Sequence, residues 1–313
     1  MTTPKVFIII LNWNGKEDTI ECIESVKLLR YPNFEIVIVD NGSTDSSEDV
    51  IKNKYPYIKL IQTGDNLGYA EGNNIGIRYA MEKDADYVFL LNNDTIVEKD
   101  ALDNLVDYAE KKSMIGIVGP KILLYHDQNV IWFAGGIIDF FSGLSHKGGG
   151  KKDDGTFDEI QETDYITGCA LLIKSDVINK IGLMDRNYFL LFEEADWCLR
   201  ARNSGFKLFY VPTARVYHKC SVSFGKIDKQ YSTSAPLWIY YYVRNNFLFI
   251  KKNYSGKCIL IAYLYCLKRN LVWINWKCKF QRWQRLISLS SGLFDFLLGK
   301  FGRVEESSFR KKY

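Results

Sequence analysis

The chain has 313 residues, 47% of them hydrophobic, with 41 Lys and Arg against 37 Asp and Glu. That much apolar material supplies one large core with an appendage and excludes a disordered chain. Seven cysteines, at 22, 169, 198, 220, 258, 266 and 278, show no C-x-x-C pair and no regular spacing, which excludes a disulfide framework or a zinc site and fits a reducing cytosol.

The N-terminus enters a strand-like run by Val6 without the basic, apolar and small-residue sequence of a secretory signal. Short β-branched runs then alternate with amphipathic stretches: Val6 to Leu11 and Glu17 to Leu29, Glu35 to Val39 and Ser46 to Lys54, Ile58 to Ile61 and Tyr69 to Glu82. The alternation continues with Tyr87 to Leu91, Lys99 to Lys112 and Ile115 to Val118. Strands apolar on both faces predict a mainly parallel sheet covered by helices. Beyond Pro120 the predicted strands are shorter (Val130 to Phe133, Gly136 to Phe141), and a Gly, Lys and Asp stretch from Ser142 to Asp158 reads as a mobile surface loop. A strand at Tyr165 to Ile173, a short helix from Ser175, a helix near Glu194 to Ser204, and strands at Lys207 to Val211 and Arg215 to His218 close this domain.

From about Ala235 the chain predicts helices near 238–252, 257–276 and 280–298. No Asp or Glu stands between Asp228 and Asp295, while eleven Lys and Arg residues do. Arg244, Lys268 and Arg269 interrupt the apolar runs, so an interfacial helix is expected rather than a spanning one. The predicted division is a catalytic domain over 1–228, with a nucleotide-binding half to about 120 and an acceptor half to 228, followed by a basic amphipathic region over 229–313.

Ligands of open α/β sheets bind beyond the carboxyl ends of the strands. Here those ends read Asn12-Trp13-Asn14-Gly15, Asp40-Asn41-Gly42-Ser43-Thr44-Asp45 and Asn92-Asn93-Asp94-Thr95. Asp40 is placed to accept from ribose hydroxyls or a base, or else to open a turn. The segment Asn66 to Asn74, which includes Asn73, opens a helix whose amides a base or phosphate can approach, or is simply an Asn-capped helix with glycines for close packing. Asp94 at a strand end suits a hard divalent cation bridging two phosphates, with His218 the best second ligand of three histidines. Glu193, Glu194 and Asp196 follow an aromatic run at a helix start. Their order suits either an acidic first turn, with Asp196 and Arg200 an ordinary helix pair, or a general base presented to a hydroxyl.

In this order the motifs resemble family 2 nucleotide-sugar glycosyltransferases of the GT-A fold, especially the rhamnosyltransferase-like branch. The likeness runs from about Val6 to Asn246, and includes Thr167-Gly168-Cys169-Ala170, Phe192-Glu193-Glu194-Ala195-Asp196 and Val216-Tyr217-His218. It implies a Rossmann-like, mainly parallel sheet with a basic, aromatic helical appendage. Asn12, Asn14, Asp40, Asn66, Asn73, Asn92, Asn93, Gly168, Cys169 and Arg244 are then expected at the donor, and Glu193, Asp196 and Trp197 at the acceptor. Asn92-Asn93-Asp94 stands where the family has Asp-x-Asp, so Asp94 with His218 is expected to hold Mn²⁺ or Mg²⁺. Glu194 takes the position of the base in an inverting transfer, although this chain reads Glu-Glu where the family has Glu-Asp. dTDP-rhamnose is the first donor expected, then UDP sugars. The acceptor is expected to be a glycan or polyprenyl-linked glycan, met at an anionic membrane surface on the inner face of the cell membrane. A non-catalytic nucleotide-sugar-binding protein and a nucleic-acid binder using the basic tail are the rival readings; no nucleic-acid module is visible.

Overall fold

A computed structural model describes residues 3–139, 143–220, 236–277 and 282–304. Four parallel strands form its first half: β1 (Val6–Asn12), β2 (Phe34–Asp40), β3 (Lys59–Gln62) and β4 (Tyr87–Asn92). They are joined by helices α1 (Lys16–Val26), α2 (Ser47–Lys54) and α3 (Gly68–Met81). Helices on both faces explain why Val6 through Ile10 are all buried and apolar rather than alternating. α3 lies close on the sheet because Gly72 has no side chain; a Cβ there would stand 2.6 Å from Leu11 Cδ1.

The second half adds β5 (Thr95–Val97), α4 (Ala101–Ala109), β6 (Ile115–Leu124), β7 (Asp127–Phe133) and the hairpin β8 (Gly136–Asp139) and β9 (Gly143–His146). β10 (Gln161–Glu162), β11 (Ala170–Lys174), α5 (Ser175–Ile181), α6 (Glu193–Asn203) and β12 (Lys207–His218) follow. The main sheet has the order β10-β12-β6-β11-β4-β1-β2-β3, with β11 antiparallel to both neighbours.

Three expectations change here. β6 does not stop at Pro120 but runs to Leu124, because β11 has already left it after Val118 and no ladder on that side needs the missing N–H. The two strands expected at 207–211 and 215–218 are one strand, β12, with a register shift between Val211 and Arg215. The loop expected to be mobile is tied down over its described part. Lys121 is wholly buried, and its ammonium meets Asp153 at 2.6 Å and also Asp158, while Tyr210 Oη donates to Phe157 O at 2.9 Å.

The C-terminal helices are α7 (Pro236–Asn253), α8 (Lys257–Lys277) and α9 (Arg282–Leu297). Ile239, Val243, Phe247 and Ile250 of α7 belong to the same apolar core as the sheet. α7 is therefore packed into the domain along its length.

Candidate active site

Three strand ends are locked together by one buried amide. Asn12 Nδ2 donates to Asp40 Oδ2 at 2.8 Å and to Ser43 Oγ at 3.1 Å. Its Oδ1 accepts from Thr19 Oγ1 at 2.8 Å and from Asn93 Nδ2 at 3.3 Å. Asp40 also accepts from Ser43 N at 2.8 Å and Gln62 Nε2 at 3.1 Å. Both residues are wholly buried. Polar groups this deep persist because they are satisfied, so Asn12 and Asp40 shape the crevice from behind and expose nothing to a ligand. That corrects the expectation of direct donor contact. Asn73 is corrected likewise: it is 1% exposed, with Nδ2 on Tyr69 O at 2.9 Å. Asn14 stands at the rim in the left-handed region (φ 50°), accepting from Thr44 N at 2.7 Å.

Between these ends and the segment after α5 lies a cavity of about 140 Å³. Its walls are Leu11, Trp13, Tyr69, Phe189 and Leu190, with the amides of Asn41 and Asn66. An apolar cavity of about 150 Å³ takes a benzene ring, so this one has room for one planar ring. Asn41 fixes the far wall, donating to Asn66 Oδ1 at 3.1 Å and accepting from Leu67 N at 3.0 Å. Trp13 and Asn41 were missed although each directly follows a residue singled out. Phe189 and Leu190 belong to the aromatic run that sequence marks only as the approach to the acids, not as a cavity wall.

The turn after β4 holds Asp94, and pairing of β5 with β12 sets His218 opposite Thr95. Asp94 Oδ1 and His218 Nε2 are thereby 3.2 Å apart, each residue 6% exposed. Burial opposes the imidazolium, but the Cys169 sulfur and the Asp94 carboxylate outweigh it and hold the His218 pKa above its ordinary value. Cys220 Sγ lies 3.3 Å from Nδ1, and the Trp132 ring meets the imidazole edge-on at 4.5 Å. A carboxylate oxygen and an imidazole nitrogen converging in this way fit a divalent cation that takes its other oxygens from a substrate. Among the described residues no third acid, histidine or thiol completes a cage around them. Asn92 and Asn93 stand part-exposed beside Asp94, and Asn93 Nδ2 donates to Thr19 Oγ1 at 3.0 Å.

Glu193 and Glu194 open α6. Burial pushes both carboxyl pKa values up, and Glu193, 3% exposed, is raised further by the charge on Glu194. Backbone amides at Glu194, Ala195 and Gly168 pull the Glu194 value partly back. The Oε2 atom of each has no hydrogen-bond partner among the described residues. Of the two adjacent acids, Glu193 is thus the more strongly raised, and Glu194, with three backbone amides on it, the less. Gly168 joins this pair to the Asp94 side. Its carbonyl accepts from Tyr69 Oη at 2.6 Å, a Cβ on it would stand 2.5 Å from that oxygen, and the next residue, Cys169, meets His218.

The pair follows three non-glycine residues in the left-handed region: Phe189 (φ 63°), Leu191 (φ 74°) and Phe192 (φ 77°). Each costs about 1–3 kcal/mol, so the loop needs support from outside itself. α7 provides it. Asn245 Nδ2 donates to the carbonyls of Tyr188 and Leu190 at 2.7 Å and of Leu191 at 3.1 Å. Arg244 donates to Tyr188 O at 3.1 Å, Asn187 O at 3.2 Å and Gly302 O at 2.7 Å. Arg244 is 1% exposed, so its expected place on the donor is corrected: it is a clamp on the loop that carries the acids. Asp196 and Trp197 are wholly buried on the inner face of α6, which corrects their placement at the acceptor. Asp196 is held by Tyr188 Oη at 3.1 Å, Arg200 at 3.0 Å and Lys252 at 2.8 Å, and Trp197 Nε1 donates to Gly182 O at 2.8 Å.

The sequence pattern of glycosyl transferase family 2 matches residues 7–182, more than half of the chain. The chain belongs to that family. A dTDP-rhamnosyl transferase, RfbF of Shigella flexneri, is 24% identical over 80% of this chain and 81% of its own. An N-acetylglucosaminyl-diphospho-decaprenol L-rhamnosyltransferase of Mycobacterium tuberculosis is 25% identical over 75% and 80%. The mannosyltransferase PcManGT from Pyrobaculum calidifontis, solved with GDP-Man and Mn²⁺, superposes with a TM-score of 0.59. It is 14% identical and covers 96% of this chain and 89% of its own. The family 2 fold is thus the GT-A arrangement of a mainly parallel sheet flanked by helices, and the chain is a glycosyltransferase.

Proposed function

We propose that this glycosyltransferase moves a sugar, with inversion, from a nucleotide-diphosphate donor to a hydroxyl of a glycan or polyprenyl-linked glycan in cell-surface polysaccharide assembly. The observation that carries this reading is the Glu193-Glu194 pair, enclosed, each with an unpartnered Oε2, and linked through Gly168-Cys169 to the Asp94 and His218 donors. The cavity beside Trp13 takes the base, with Asn66 at its edge, and Gly168 and Cys169 line the sugar. Glu194 accepts the proton of the acceptor hydroxyl while the hydroxyl oxygen bonds to the anomeric carbon and the bond to the diphosphate breaks. A single displacement inverts that carbon. Asp94 and His218 would hold Mn²⁺ or Mg²⁺, which when bound supplies positive charge against the leaving diphosphate.

The donor assigned first is dTDP-rhamnose, supported by the relative named for that donor, with UDP sugars next. The decaprenol-linked substrate in the other relative's name supports a lipid-linked acceptor at the inner face of the cell membrane. Thermal shift over a panel of nucleotide sugars, with and without Mn²⁺, tests the donor, since a ligand bound only by the folded chain raises the midpoint. A rise with dTDP-rhamnose alone supports the assignment; a rise confined to another nucleotide sugar replaces it, and none with any donor sinks the reading.

A further inference from the structure

A helix packed on a domain normally turns polar residues outward. α9 turns apolar residues outward as well as inward. Trp283 is 79% exposed, and Phe294, Leu297 and Leu298 are 58%, 70% and 52% exposed. Positions 283, 294, 297 and 298 fall on one helical face, while Arg285, Ser288, Leu289 and Phe296 turn inward. α8, which packs beside α9 and against α7, likewise has an apolar outer face, with Leu260, Leu264 and Val272 exposed by 63%, 60% and 56%. Two neighbouring helices with apolar outer faces form a patch of the kind that marks an interaction surface.

We infer that the outer faces of α8 and α9 seat the protein on the headgroup and acyl boundary of an anionic lipid bilayer. The inference deepens the reading of a lipid-linked acceptor, but its own observations are exposure and charge. Lys268 lies within the α8 face and Lys300 just beyond α9, both exposed. No acid occurs from 229 to 294, and Asp295 is turned inward to accept from Tyr240 Oη at 2.7 Å. A cationic apolar face with an exposed tryptophan complements anionic headgroups over an apolar layer. It does not complement a second copy of itself, because a two-fold interface would set like charges together with no acid between them. Among the described residues no helix is long and apolar enough to cross a membrane, so the helices lie along the surface.

The test is co-sedimentation of the full chain with vesicles of phosphatidylglycerol and phosphatidylcholine, and of phosphatidylcholine alone. Light scattering without lipid reports the oligomeric state. Wild type is expected to pellet with the anionic vesicles, less with neutral ones, and less at high salt. Phe294→Glu with Leu297→Glu should lose roughly tenfold or more of the bound fraction. Leu260→Gln with Leu264→Gln tests α8 independently, and an unchanged thermal midpoint shows that either variant is folded. Wild type left in the supernatant, or both folded variants bound like wild type, overturns the inference. So does a wild-type dimer that either pair of substitutions makes monomeric. Because the readout is binding, lipid binding without transfer would sink the acceptor reading and leave the surface standing.

Discussion

Asn245 Nδ2 lies 2.7 Å from the carbonyl oxygen of Leu190, 55 residues earlier in the chain, and the same nitrogen reaches the carbonyls of Tyr188 and Leu191. One side-chain amide thus holds a backbone that its own residues disfavour, and the acids follow two residues later. Asn245→Leu takes the side-chain donor from the Leu190 and Leu191 carbonyls, while Tyr188 O keeps Arg244 and the amide of Leu190; at about 1–3 kcal/mol for each that water does not reach, a loss of about 2–4 kcal/mol is expected. Urea unfolding measures that loss. Turnover at a temperature where the variant stays folded should also fall, roughly tenfold or more, and donor affinity with it, since the loop both carries the acids and walls the base cavity through Phe189 and Leu190. Normal turnover in the folded variant would show that the loop keeps its shape unaided.

The two glutamates predict opposite outcomes for the same substitution. Glu193 is the more strongly raised of the two, which favours its neutral form, so Glu193→Gln is expected to put a neutral amide in place of a neutral acid and keep most activity. Glu194→Gln removes the base and should cost roughly 10²–10⁴ in turnover while donor binding is spared. Assaying both on one acceptor decides it; the reverse ranking would move the base to Glu193.

The same pair sets a pH dependence of stability. Both carboxyls titrate above their ordinary value of 4.5 in the folded chain, so the folded state binds more protons than the unfolded one. Their contribution is complete below 4.5 and is lost as pH rises through the folded values. Glu193→Gln removes the more strongly raised of the two. Its stability relative to wild type should therefore grow with pH across that window, in urea melts taken from pH 4.5 upward. A difference that stays flat with pH would mean that Glu193 is not held neutral.

Asp94 and His218 are expected to act as a unit. Asp94→Ala should bind a nucleotide-diphosphate sugar as weakly as wild type in EDTA, roughly 10–100-fold below wild type with Mn²⁺, and EDTA should then change nothing further. Calorimetry with Mn²⁺ alone gives a second readout. Retained Mn²⁺ binding in Asp94→Ala would place the cation elsewhere.

How legible the molecule was depends on how far apart the partners lie. The strands from Val6 to Asn92 were readable because burial on both faces forces continuous apolar runs, and the helices from Pro236 on were readable from their spacing. Asp94 and His218 are paired in sequence only by elimination among three histidines and then by the family resemblance, since β-pairing rather than local sequence brings them together. Arg244 is expected at the donor rather than on the loop because its carbonyl acceptors near Tyr188 lie 56 residues away and a carbonyl has no signature in sequence. Asp40 stays open between ligand contact and a turn because a strand end looks the same whether its carboxylate faces a ligand or an asparagine behind it.

Lys121 shows the same blindness at a distance of 32 residues. It stands beside Ile122, Leu123 and Leu124, just past the strand expected from sequence, yet its wholly buried ammonium meets Asp153 at 2.6 Å, and Asp153 is itself 12% exposed. Breaking a buried pair from one side leaves the other charge uncompensated and costs about 3–5 kcal/mol. Asp153 can turn toward solvent more easily than a fully buried partner, so Lys121→Met should fall at the lower end of that range. The loop it releases contains Lys151 and Lys152, both exposed. Limited trypsin digestion should cut the variant there well before the rest of the domain, while wild type resists because Lys151 O and Asp153 N are engaged by Ile131 and Asn129. Cleavage at the same rate in both proteins would show that the backbone bonds alone hold the loop and that Lys121 contributes only to the core around it.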